Sequence, residues 1–196
     1  MTDTYSERRL PVLPVRLRTL LLIRWIAAAG QLATVLVVHF GLGYVLPLTY
    51  CLSAITVLVI SNLVMTAMRS GGARLGDGQA LALLVFDALQ LSSLLYLTGG
   101  LMNPFALLFL APVTISASVM QARTTALLVG LASGWVTVLL FFHQPLPWSG
   151  PVPVLPSIYM MGIWAALLIA LVFIPSYVWR VSREGQRMSA ALAASQ

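Results

Sequence analysis

The chain has 196 residues, of which 60% are hydrophobic and 8% charged, with a mean hydropathy of +0.95 and a net charge of +6. An ordinary soluble domain carries roughly 25% charged residues, so this composition excludes a water-soluble globular fold and points to a single all-α, polytopic membrane domain. The basic residues are all arginines in short segments between apolar stretches, a pattern of membrane topology that argues against a nucleic-acid partner.

Residues 1–19 carry Arg8, Arg9, Arg16 and Arg18 and precede an apolar run too long for the core of a signal peptide. They read as a cytoplasmic segment ahead of a retained first helix. A spanning helix needs about 20 apolar residues, and six spans are expected, over 20–40, 46–66, 79–98, 105–120, 124–142 and 157–178. The fourth is the shortest and contains Pro112. Together they make a six-helix transmembrane domain over 20–178, surrounded by membrane lipid.

With six crossings, Arg8, Arg9, Arg16, Arg18, Arg24, Arg69, Arg74, Arg123, Arg180, Arg183 and Arg187 all fall on one side, whereas five or seven would scatter them. Positive charge marks the cytoplasmic face, so the N and C termini are expected in the cytoplasm, and the chain in the inner membrane of a bacterial cell. Trp25 and Trp179 then lie near the inner interface, and Tyr44, Tyr96, Trp148 and Tyr159 near the outer one. Gly130 and Gly134, spaced G-x-x-x-G, and Ala29, Gly30 and Ala33 are expected contact faces between helices. No internal repeat of the kind found in many transporters is evident.

Residues 179–196 read as the start of a cytoplasmic signalling helix. Val178, Val181, Gly185, Met188 and Leu192 step by three and four, as the a/d seam of a coiled coil does. Such a helix would pass a signal to a soluble dimeric domain, and the chain is expected to belong to a longer protein.

Asp87 is the only acidic residue well inside an expected span, and an intramembrane charge is costly enough to mark function. Gln90 lies one turn further on the same face. The two are candidates for an intramembrane switch, or else for structural partners of Arg24 and Gln31. His39 and His143 fall at outer helix ends, a poor arrangement for haem, and no metal or haem is expected. Ser133 has no histidine on a partner helix at its depth, which removes a protease reading. Cys51 stands alone in an apolar run, so it forms no internal disulfide.

The most informative stretch is the uncharged connection Gly99-Gly100-Leu101-Met102-Asn103-Pro104-Phe105 between the third and fourth spans. As structure it is a hairpin: glycines end a helix, Asn caps the next, and Pro suits its first position. As a site, an amide beside an aromatic ring and flexible glycines at bilayer depth suits a flat apolar ring bearing carbonyls, such as a quinone. The G-G-x-x-N-P-F pattern resembles the quinone-sensing signature of the RegB/PrrB/ActS family of redox sensor histidine kinases, as do the six spans and the run from Arg183 to Ser189.

That resemblance implies ubiquinone binding at Gly99, Gly100, Asn103, Pro104 and Phe105. It also implies that the chain is the sensor domain of a two-component kinase, acting on its own downstream kinase domain and, through it, on a response regulator. A homodimer is implied for the full-length protein. The family's phosphoacceptor histidine and ATP-binding domain are absent from these 196 residues, so no catalysis is expected here. Cys51 does not match the family's downstream redox cysteine. The competing expectation is a small six-helix transporter or channel using Asp87.

Overall fold

The computed structural model describes residues 15–68, 74–145 and 155–194. They form six α-helices: α1 (Leu17–Leu36), α2 (Leu48–Met68), α3 (Asp77–Leu97), α4 (Leu110–Val119), α5 (Ala122–Phe141) and α6 (Ser157–Ala194). Two short strands, β1 (Val15–Arg16) and β2 (Arg74–Leu75), pair antiparallel and tie the start of α1 to the entry of α3. The expected all-α membrane architecture is therefore observed, and α1, α2, α3, α5 and α6 are each long and apolar enough to span a bilayer.

The fourth crossing departs from the expectation. Residues Pro104–Phe109 form a 3₁₀ helix before α4 begins, and the whole apolar segment Pro104–Val119 is shorter than a standard span. Six residues at about 2.0 Å each and ten at about 1.5 Å still reach about 27 Å. The segment starts at Asn103, bonded to Thr98 at the end of α3, and finishes beside Gln121, whose N–H donates to Asp77 at the start of α3. It therefore returns along the full length of α3. Tighter winding stretches a short sequence over a long distance, and Pro112, in the first turn of α4, needs no helical hydrogen-bond partner there.

α3 is the central helix. Its buried positions Ala80, Leu84, Ala88, Leu91 and Leu95 step by four and three, one face of a 3.6-residue helix, and α2, α4 and α5 pack around it. α5 buries Thr125, Leu128, Ala132, Val136 and Leu139 with the same period. α4 lies along α6, and Phe109, Val113 and Leu171 are fully buried in the same apolar core. In lipid such packing is stabilised by van der Waals contact and polar bonds, since the acyl chains are as apolar as leucine. The opposite faces carry outward-facing residues such as Ile26, Phe40, Phe141 and Phe173, as a bilayer solvent demands.

Trp164 Nε1 donates to Thr137 Oγ1 at 3.0 Å. Counting down the antiparallel helices from that bond sets Arg180 level with the start of α5, the height of Arg123. The starts of α1 at Arg18 and of α5 at Arg123 thus lie at the same end of the bundle as Arg180 of α6; Arg8, Arg9 and Arg69 lie outside the described residues, as does Trp148. Arg24 is an exception to the expected inner-face cluster: six residues beyond Arg18, about 9 Å deeper along α1, it is 4% exposed and faces the bundle interior. The expected contact faces at Gly30, Gly130 and Gly134 are also corrected, since a Cβ at any of them would meet nothing within 4 Å. No break marks the expected boundary at 178/179, for α6 runs through it, and through Pro175, as one helix.

Candidate functional site: a groove between α1, α3 and α4

The connection after α3 is a closely bonded turn. Gly99 and Gly100 both adopt positive φ, +104° and +57°, where side chains other than glycine's are strained. Gly100 is further constrained because a Cβ there would stand 2.7 Å from Cγ of His143. Asn103 then caps the 3₁₀ helix: its Oδ1 accepts from the Phe105 N–H at 2.9 Å, while Nδ2 donates to Thr98 Oγ1 at 2.8 Å and to Thr98 O at 3.3 Å. Pro104 occupies the first helical position, where its missing N–H costs nothing. Gln144 holds the turn from the α5 side, donating from its N–H to Tyr96 O at 2.8 Å and from Nε2 to Tyr96 OH at 3.3 Å.

At the same end, α1 leaves its regular winding through a π-helical turn, Val37–Gly41, after which the Leu46 N–H donates to His39 Nδ1 at 3.3 Å. π turns insert where a helix must be re-aimed and recur at functional sites. Val35, Leu46, Cys51, Ile55 and Leu94 form a small apolar cluster beneath this turn, which accounts for Cys51 as a core residue.

Lower down, α1 and α3 are joined by polar bonds. Arg24 Nε donates to Asp87 Oδ1 at 2.9 Å, and Nη2 donates to Ser61 Oγ of α2 at 3.0 Å. The guanidinium also lies 5.4 Å from the centroid of the Phe86 ring, a favourable cation–π distance. Its Nη1 is buried with no hydrogen-bond partner among the described residues, a condition that costs about 1–3 kcal/mol. Two turns further along, Gln31 and Gln90 exchange amide bonds, Gln31 Nε2 to Gln90 Oε1 at 3.2 Å and Gln90 Nε2 to Gln31 Oε1 at 2.9 Å. Gln90 Nε2 also reaches Ala54 O at 3.3 Å.

Between α1 on one side and the 3₁₀ segment with α4 on the other, with α3 as its floor, runs a groove of about 670 Å³, a volume typical of a small-molecule site. Its wall is almost wholly apolar, with Phe105 and Leu108 at 40% and 43% exposure presenting their side chains. Asn103, Pro104, Phe105, Asp87 and Gln90 all line this one space. Gly99 and Gly100 do not; they shape the turn behind it. Sequence reasoning placed the loop and the Asp87–Gln90 pair in separate hypotheses. Arg24 and Gln31, expected only as possible structural partners of that pair, bond to Asp87 and Gln90 and also line the groove.

No protein-family model and no solved structure matches the chain. Two curated relatives do: it is 46% identical over 182 residues to the sensor histidine kinase RegB of Cereibacter sphaeroides, covering 92% of this chain and 39% of the relative. A second RegB sensor histidine kinase, from a named strain of that species, is 47% identical over 183 residues, 93% of this chain and 40% of the relative. The chain thus spans about two-fifths of the length of the curated relatives it matches. Over nine-tenths of its residues the membrane-helical chain is thus similar, at nearly half of the aligned positions, to part of the sensor histidine kinase RegB.

Proposed function

We propose that this chain is the membrane sensor domain of a two-component histidine kinase, and that ubiquinone bound in the groove between α1, α3 and α4 regulates autophosphorylation of the kinase domain in the full-length protein. The observation that carries the reading is the continuity of the groove: one apolar space connects the Gly99–Phe105 turn with the polar residues Asp87 and Gln90. A flat ring with a long isoprenoid tail requires that combination, apolar walls for ring and tail and a few polar groups for the carbonyls.

A ligand transmits a signal only if it binds two arrangements of the protein unequally, and couplings of about 1–3 kcal/mol are usual. Phe105 and Leu108 line the groove, and α4, which follows them, lies along α6. Occupancy at Phe105 would therefore bear on α6, which continues as one helix past Arg183. Asp87 and Gln90 bridge to α1 and would act as the intramembrane switch. The full-length protein would work as a homodimer in a bacterial inner membrane and pass phosphate to a response regulator. The transporter reading fares worse, because the Asp87 carboxylate is engaged by Arg24 and is not offered to a passing ion.

The test uses the full-length kinase in liposomes with and without ubiquinone. Autophosphorylation should respond in the native protein and lose its response in Phe105→Ala and Asn103→Ala. An undiminished response in both variants would overturn the assignment.

A further inference from the structure

A quinone ring needs hydrogen-bond donors for its carbonyl oxygens, and the turn at Asn103 is poor in them. Both Nδ2 bonds of Asn103 go to Thr98, and its Oδ1 receives the Phe105 N–H. The amide is consumed in bracing the turn. About 12 Å along α3, eight residues before Thr98 at about 1.5 Å each, the groove wall is better supplied. Gln31 donates to Gln90 through one of the two hydrogens its amide carries, and the buried Arg24 Nη1 has no acceptor among the described residues.

Arg24 and Gln31 are seven residues apart on α1, about 10 Å along the axis. A para-quinone has two C=O bonds of about 1.23 Å on opposite sides of its ring, placing the oxygens about 5 Å apart, and a hydrogen bond of about 2.9 Å at each end completes the span. The wall between the two donors is made of small residues, Ala27 and Gly30, both lining the groove. A methyl group added at Gly30 would meet no atom within 4 Å, so a flat ring has room to lie there.

Resting on the reading of the groove as a ubiquinone site, we infer that the quinone ring seats against α1 over Ala27 and Gly30. Gln31 and Arg24 receive its two carbonyls, and the isoprenoid tail runs past Leu108 and Phe105. Asn103 is then a positioning residue for the turn, and Phe105 a contact for the tail. The ligand's polar contacts fall on the side chains that tether α1 to α3.

The experiment uses the protein in phosphatidylcholine nanodiscs with a short-tail ubiquinone whose ring carbonyls are ¹³C-labelled, read by infrared difference spectroscopy and by titration. In the native protein the carbonyl bands should fall below their position in plain lipid. In Gln31→Leu one band should return to the lipid position, with binding weakened about tenfold, the loss of one hydrogen bond. Gly30→Leu, which fills the ring's seat while favouring the helix, should abolish binding without lowering the melting temperature. Where Gln31→Leu fails to fold, Gly30→Leu decides. Unaltered bands and affinity in the substituted proteins, with binding lost in Phe105→Ala, would put the ring at the turn and overturn this inference alone. An absence of saturable binding by the native protein would instead remove the quinone reading itself.

Discussion

Arg24 of α1 and Asp87 of α3 form an ion pair inside the helical bundle, Nε to Oδ1 at 2.9 Å, with their side chains 4% and 19% exposed. α1 packs chiefly on α2, and this pair and the Gln31–Gln90 exchange add side-chain ties to α3 along the helix. Removing one member of a buried pair leaves an uncompensated charge, at a cost of about 3–5 kcal/mol. Asp87→Leu and Arg24→Leu should each lower stability by that order, whereas the double substitution should cost less than the sum of the two. Thermal melting of the four proteins in one detergent checks this; additive losses would show that the pair is not energetically coupled.

Gly100 differs physically from the other glycines that face the bundle or the lipid. It combines a φ of +57° with a clash of 2.7 Å between an added Cβ and the His143 ring. Gly100→Ala should destabilise the protein by about 1–3 kcal/mol, whereas Gly134→Ala, with open space around it, should be neutral or slightly stabilising through helix propensity. Comparable melting temperatures for the two variants would remove the close approach of His143 as a determinant of the turn.

The cap at Asn103 makes a local prediction. Asn103→Ala removes the acceptor of the Phe105 N–H, and loss of such a cap costs about 1 kcal/mol. Amide exchange at Phe105 should accelerate accordingly. Thr98→Val deletes only the hydroxyl that receives Asn103 Nδ2 and should leave the Phe105 amide protected. Equal acceleration in both would mean that the turn opens as a unit.

Long apolar runs made α1, α2, α3 and α5 legible to within a few residues, because each span is bounded by glycine, proline or charge. The fourth crossing was not, since apolar composition does not distinguish α from 3₁₀ winding; Pro104 and Pro112 mark the region without specifying its pitch. The turn at Gly99–Phe105 was legible in detail: positive φ at the glycines, Asn103 as cap and Pro104 at the first position follow from the properties of those residues. The groove was not, because it depends on which helices become neighbours. Arg24 shows the difficulty most plainly. Counted by charge it joins the arginines of one membrane face, and only its depth along α1, together with the position of Asp87 on α3, turns it inward. Gly130 and Gly134 show the converse, a packing motif at which an added Cβ would meet nothing within 4 Å among the described residues.

Occupation of the groove by ubiquinone is what the proposed function turns on. Its most direct test is titration of the protein in nanodiscs with a short-tail ubiquinone, following quenching of tryptophan fluorescence, in the native protein and in Phe105→Ala, whose ring lines the groove. Saturable quenching that is weakened at least about tenfold in Phe105→Ala, as the loss of a buried aromatic contact requires, is the result expected. Linear, unsaturable quenching of equal slope in both proteins would contradict the claim, because it would mean that the quinone is dissolved in the lipid and not bound between α1 and α4.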